Sequence, residues 1–227
     1  MPKMKKFVIS LGGSLLYPEN IDISFIISFK SLVESCLKKD YSFVFVCGGG
    51  KLARDFQKAA EQITTLADKE KDWLGIAATK MNASLIKSIF GDKAYEKVIS
   101  DPTEKIYTNK PIIVCSGWKP GRSTDYDSVL MANNIGTDTV INMSNIDYVY
   151  DSDPKKNPKA EKLKNISWNS LRKLVGSEWK PGLSMPFDPI AAKEAEKNGL
   201  RVIIIGRDLE NLKKVLDGKE FEGTIIE

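Results

Sequence analysis

Three stretches of this chain follow an apolar run with glycine and then offer groups that could hold an anion. The first is FVFVC at residues 43–47, then Gly48, Gly49 and Gly50, then KLARDFQKAAEQ. A short, continuously apolar run is what a strand buried on both faces looks like. Leu52, Ala53, Phe56, Ala59, Ala60 and Ile63 then recur at helical spacing, so the unit reads as strand, glycine turn, helix. Such a turn points backbone N–H groups outward at the positive end of a helix, where an anion fits. Glycine lets that backbone approach a phosphate closely, and Arg54, one turn into the helix, could add a bidentate contact. A plain tight turn with a surface arginine is the competing reading. Three consecutive glycines cost more chain entropy than a tight turn needs, which favours the anion site. The second stretch is residues 6–14, a strand followed by Gly12, Gly13 and Ser14. The third is residues 111–125, a strand followed by GWKPGRSTD, whose Lys119, Arg122, Ser123 and Thr124 could together hold an anion or a polar ring.

The absences restrict the chemistry. Histidine does not occur, so a histidine base, histidine metal ligands and a Ser-His-Asp triad are all excluded. Cys36, Cys47 and Cys115 lack C-x-x-C spacing and read as small buried residues in a reducing compartment. The net charge of +4 over 227 residues is mild and the lysines are scattered, which gives no support to nucleic-acid binding. The first residues carry too short an apolar run for a signal peptide, and no later segment is long enough to span a bilayer. A cytoplasmic enzyme or binding protein is the expectation.

The elements that must position these groups alternate along the chain. After the first strand, residues 23–37 form an amphipathic helix. Asp72 precedes a helix with a wide apolar face, and taken alone it reads as an N-cap. Strands are expected at 94–99, 111–116, 139–143 and 201–205, with a short β-prone segment at 146–150. Helices are expected at 126–134, 169–175, 189–198 and 209–216. Ser123, Thr124 or Asp125 would cap the first of these, and Asp188 would cap the one that Pro189 opens. Residues 151–158 and 176–187 read as loops. No linker divides the chain. The pattern predicts a three-layer αβα sandwich around a mainly parallel sheet, in which ligands sit at the carboxyl ends of the strands, where the three glycine loops fall. Two phosphorylated ligands meeting there would make the chemistry phosphoryl transfer. No loop has the G-x-x-x-x-G-K-S/T or G-x-G-x-x-G pattern.

The set SLGGS (residues 10–14), GGGKLAR (48–54), DWLGIAATKMNA (72–83), PGRSTD (120–125), SNIDYVYDSDP (144–154) and FDPIAAK (187–193) resembles the amino acid kinase superfamily, most closely UMP kinases of the archaeal type. The resemblance runs in family order over essentially the whole chain. It implies a single domain, with the acceptor mainly on the N-terminal part and ATP mainly on the C-terminal part. The implied reaction moves the ATP γ-phosphoryl group to UMP, giving UDP and ADP, with Mg²⁺ carried on the ATP phosphates and no dedicated protein metal site. By match of motifs, Gly12, Gly13, Ser14, Gly50, Arg54, Ser144, Asn145, Tyr150 and Asp153 would bind ATP. Gly49, Asp72, Trp118, Lys119, Pro120, Gly121, Arg122, Ser123 and Thr124 would bind UMP, with Asp72 on the ribose hydroxyls in place of its cap reading. Arg54, Asp125 and Asp188 would organise the reacting groups. The resemblance also implies a homohexamer built from dimers.

The chain departs from the pattern at three places. Many relatives carry a lysine two residues before the Gly-Gly pair, where this chain has Ser10, so the cation would come from Lys6, Lys51 or Lys180. Tyr148 stands where glycine is common, and Tyr126 and Asp127 replace small residues. Three alternatives stand beside UMP kinase. An isopentenyl phosphate kinase would use a histidine that this chain lacks. A kinase for carbamate or an acylated amino acid would not need Asp72. A nucleotide-binding regulatory or storage relative would bind ATP without turnover.

Overall fold

In the computed structural model, residues 4–154, 156–176 and 185–227 are described. The chain begins with β1 (Lys5–Leu11), α1 (Gly13–Leu16), α2 (Ile23–Leu37), β2 (Tyr41–Cys47), α3 (Gly50–Ile63) and α4 (Asp68–Phe90). It continues through β3 (Ala94–Ile99), β4 (Ile112–Cys115), α5 (Thr124–Ile135), β5 (Thr139–Met143), β6 (Val149–Tyr150), β7 (Lys162–Leu163), β8 (Asn165–Ile166) and α6 (Trp168–Val175). It ends with α7 (Pro189–Lys197), β9 (Arg201–Ile205), α8 (Leu209–Leu216) and β10 (Thr224–Ile226).

One eight-stranded sheet in the order β3-β4-β2-β1-β5-β9-β10-β8 gathers these strands. Every pairing in it is parallel except that of β9 with β10. The central strands are apolar on both faces because helices cover both. Ile9, Leu11, Phe43 and Phe45 point into one layer, with Phe29 and Val33 of α2, Ile86 and Phe90 of α4 and Leu212 of α8. Val8, Val44, Val46 and Val140 point into the other, with Val129 of α5, Leu171 of α6 and Ala191 and Ala195 of α7. This is the expected three-layer sandwich. Cys36, Cys47 and Cys115 are free and buried, and burial raises each thiol's pKa. No helix among the described residues is long and apolar enough to cross a membrane.

Two expectations need correction, and one helix is placed where its pattern did not say. Asp72 is not a cap, because α4 begins at Asp68 behind Ala67 and carries Asp72 in its second turn. The acidic and basic run at 68–71 is itself the first turn. Asp125 is not a cap either: Ser123 fills that position, its Oγ accepting from the Tyr126 N–H at 3.2 Å. The apolar stripe of α3 does not face the sheet. Only its Ala53 is buried, while Phe56 and Ile63 are 59% and 85% exposed. The periodicity was that of a helix, but this helix lies on α1 and α4, outside the sheet-facing layer. The short elements α1, β7, β8 and β10 have no counterpart in the sequence reading, being too brief to show a period. The 176–187 loop falls partly outside the described residues.

Candidate functional site

The turns after β1 and β2 are neighbours because their strands pair in register, Leu11 opposite Cys47. They touch backbone to backbone. A Cβ on Gly13 would stand 2.6 Å from Gly50 Cα, and one on Gly48 would stand 2.6 Å from Gly13 N. Gly50 also has a φ of +64°, which strains any side chain. The neighbouring turn therefore explains these glycines without a ligand, and the entropy argument for an anion loses its force. The Gly12 N–H is spent on Met143 O (2.8 Å) and the Gly48 N–H on Leu11 O (2.9 Å). Gly49 and Gly50 open α3; of its first-turn N–H groups, that of Lys51 donates to Tyr17 O (3.3 Å), and those of Gly50 and Leu52, without an intrahelical partner, remain suited to an anion. Asn82 of α4 fixes this turn from below, its Nδ2 donating to Gly48 O at 2.7 Å and Gly49 O at 3.3 Å.

The loop of residues 117–123 is held at both ends and in the middle. Gly117 N–H donates to Thr79 Oγ1 (2.8 Å), Trp118 N–H to Asp127 Oδ2 (3.1 Å) and Gly121 N–H to Asp72 Oδ2 (2.7 Å). Asp72, Thr79 and Asn82 thus form a buried polar line on one face of α4. The structure brings Asp72 and Gly121 together and holds Trp118, Pro120 and Arg122 in the same loop, with Thr124 following as the first residue of α5. Lys119 is exposed, with its Nζ 3.6 Å from the Trp118 ring centroid.

A group of carboxyls lies at the start of α5. Asp125 Oδ1 accepts from Asn142 Nδ2 (2.9 Å) and Ser10 Oγ (3.2 Å), and its Oδ2 accepts from the Asp188 N–H (3.3 Å). Asp188 caps α7, as expected, accepting from Ile190 N–H at 2.7 Å, and it takes a short hydrogen bond from Ser123 Oγ. Burial first and the Asp188 charge second push Asp125 up to about 7. Burial, helped by Asp125 and Asp188, pushes Asp127 up to about 8 against the pull of the Trp118 N–H and Arg122. Asp125 and Asp127 can therefore hold protons near neutrality.

The segment after β5 leans on the first turn. A Cβ on Gly12 would approach Ser144 Cα at 3.3 Å, so Gly12 and Ser144 are adjacent. Ser144 Oγ accepts from Ile146 N–H at 3.4 Å. Asn145 follows in the same turn, and Tyr150 lies on β6, paired with Lys162 of β7. Asp153 is exposed further along, its carbonyl accepting from the N–H groups of Lys156 and Asn157. Tyr148 is buried, with Lys162 over its ring at 4.6 Å. Ser14 sits in α1 beside Gly13. Arg54 is exposed in α3 and makes no ion pair among the described residues, so the structure does not draw it into either cluster.

The cation expected to stand in for the first-strand lysine is not supplied by the nearer candidates. Lys6 is exposed near the amino end of β1, six residues and about 20 Å of strand from Gly12. Lys51 Nζ is paired with Asp55 (2.6 Å) and Glu19 (3.6 Å). Lys180 lies outside the described residues. Sequence reasoning missed Asn82, Thr79, Asn142 and Asp127 as site residues. For the two on α4 there was a signal, since they place polar side chains at helical spacing from Asp72 on a face otherwise apolar. Among the described residues no group of three acidic, cysteine or histidine side chains could hold a metal ion.

With this geometry in place, known proteins supply the comparison. The model of the amino acid kinase family matches residues 5–206. A uridylate kinase of Pyrococcus abyssi is 38% identical over 226 residues, covering 98% of this chain and 99% of its own. One from Thermococcus kodakarensis is 37% identical over 228 residues, covering 98% and 99%. The crystal structure of uridylate kinase from Archaeoglobus fulgidus superposes with a TM-score of 0.83 at 34% identity, covering 99% of this chain and all of that one. The agreement runs from end to end, and the chain belongs to the amino acid kinase family.

Proposed function

We propose that this protein is a UMP kinase, transferring the γ-phosphoryl group of ATP to UMP to give UDP and ADP in the making of pyrimidine nucleotides. The observation that carries the reading is the bond from Gly121 N–H to Asp72 Oδ2, which joins the two segments expected to hold UMP. The end-to-end similarity to uridylate kinases supports it.

The acceptor is a phosphate oxygen, already ionised at neutral pH, so no general base is required and the lack of histidine costs nothing. The difficulty is to bring two anions together. Positioning and charge neutralisation are therefore the main contributions of the protein. The Gly50 and Leu52 N–H groups at the start of α3, with Gly12, Gly13 and Ser14 beside them, face the ATP phosphates. Ser144, Asn145, Tyr150 and Asp153 take the nucleoside end. Asp72 and residues 118–124 hold UMP, and Arg54 and Arg122 bring positive charge. Asp125 and Asp188 orient the reacting groups through Ser10, Asn142 and Ser123, and a raised Asp125 pKa lessens repulsion of the incoming phosphates. Magnesium, entering with ATP and suited to phosphate oxygens, supplies further neutralisation when bound.

The exposed Phe56, Ile63, Trp73 and Met81 of α3 and α4 agree with assembly into a homohexamer, which light scattering checks. A cytoplasmic location completes the reading. Ser10, where many relatives carry lysine, supports a second reading as a nucleotide-binding regulator. ADP release from Mg-ATP with UMP, CMP, dUMP, AMP, isopentenyl phosphate, carbamate and acetylglutamate separates the two. A rate confined largely to UMP supports the kinase; tight ATP binding with no working acceptor supports the regulator.

A further inference from the structure

Asp127 is buried to within 1% of its surface, and only half of its carboxyl is used. Oδ2 accepts the Trp118 N–H at 3.1 Å, while Oδ1 is buried with no hydrogen-bond partner. Across the same loop–helix junction, Arg122 Nε is also buried and unpartnered. The same guanidinium donates from Nη1 to Gly121 O at 2.8 Å and lies with Cζ 4.9 Å from the Tyr126 ring centroid. A donor and an acceptor of opposite charge type are thus both left buried and open, which is unfavourable for each.

We propose that Asp127 is a positioning residue of the acceptor side, which tethers Trp118 at the start of the loop and competes with the acceptor phosphate for the Arg122 guanidinium. The proposal rests on the reading that residues 118–124 receive UMP. The groups acting on Asp127 are Asp125 on its own helix, Asp188 ahead of α7 and Arg122 in the loop, and the thiol of Cys115 at the end of β4 feels its charge. Arg122 is the cation among the largest influences on it. A neutral Asp127 keeps its Trp118 contact and leaves the guanidinium to the phosphate. An ionised Asp127 is a buried charge whose available counter-ion is Arg122. Pairing Oδ1 with Nε satisfies both open atoms and draws Arg122 away from the acceptor. The ionisation lies at about 8. UMP is already a dianion there, since the second phosphate pKa is about 6.

The test measures KM for UMP, KM for ATP and kcat between about pH 6.5 and 9 in wild type, Asp127→Asn and Asp127→Ala. In wild type, KM for UMP rises about fivefold or more between pH 7 and 9 while KM for ATP changes less than about twofold. Asp127→Asn keeps an oxygen for Trp118 but cannot ionise, so its alkaline rise is below about twofold. Asp127→Ala loses the tether, raising KM for UMP about tenfold at pH 7 with kcat changed less than about threefold. Asp127→Asn restores most of that loss. An equal alkaline rise in wild type and Asp127→Asn overturns this proposal while leaving the kinase reading intact. So does an Asp127→Ala enzyme with the wild-type KM. No turnover of UMP at any pH overturns the kinase reading, and this inference with it.

Discussion

Replacing Gly13 with alanine tests whether the two glycine turns are fixed by one another. The added Cβ would stand 2.6 Å from both Gly49 C and Gly50 Cα, against about 3.5–4.0 Å for a relaxed carbon pair. Both neighbours are backbone, so no side chain can swing aside, and the turns must part by roughly 1 Å. Overpacking of this kind costs about 1–3 kcal/mol. In a chain of this size that lowers the melting temperature by about 2–12 °C. A shift of about 1 Å in groups that place two phosphates costs on the order of a hundredfold in kcat. Gly75→Ala is the matched control. It lies inside α4, and its Cβ would meet only Gln57 Nε2 at 3.2 Å, the end of a side chain that need shift by only a few tenths of an ångström while donating to Lys71 O. Alanine there gains about 0.5–1 kcal/mol of helix stability. Thermal melts by circular dichroism, paired with ADP release from Mg-ATP and UMP, read both quantities. A Gly13→Ala enzyme with wild-type melting temperature and kcat would refute the reasoning that the turns are packed backbone to backbone.

Three further outcomes follow from the same geometry. Asp125 and Asp127 have folded pKa values of about 7 and about 8, above the ordinary 3.8. The folded state therefore binds protons more tightly than the unfolded chain, and the contribution of these groups to stability falls as pH climbs from about 4 through 8. Urea midpoints should be lower at pH 9 than at pH 6, with Asp127→Asn showing a flatter slope; a midpoint that rises with pH would contradict the assignment. Asn82→Ala leaves the Gly48 carbonyl without its side-chain donor and the Gly49 carbonyl with Ala53 N–H alone, for a loss of about 1–3 kcal/mol and a fall in kcat, measured by urea unfolding and steady-state kinetics. Arg54→Ala should lower turnover strongly with an unchanged circular dichroism spectrum, because its exposed side chain supports no packing; unchanged kcat and KM would remove it from the site.

Much of this architecture was legible in the residues. The apolar runs at Phe43–Cys47 and Val202–Ile205 read as interior strands, and the glycines after β1 and β2 marked the carboxyl end where the candidate site lies. Ser123 and Asp188 were readable as caps because the side-chain chemistry is local. Other features depended on contacts far apart in sequence. Asp72 looked like a cap until α4 began four residues earlier, and its partner Gly121 is 49 residues away. The glycine turns suggested a ligand-shaped vacancy, whereas their nearest neighbours proved to be each other. The burial of Asp127 could not be read from an acidic residue in a helical first turn, which is ordinarily solvated. Two-residue strands such as β7 and β8 are defined by their partners alone.

The central claim is tested most directly by following the products of Mg-ATP and UMP with phosphorus NMR. The account predicts UDP and ADP appearing in equal amounts as UMP and ATP decline together. ATP consumed to ADP and inorganic phosphate with UMP unchanged, or no consumption at all, would contradict it.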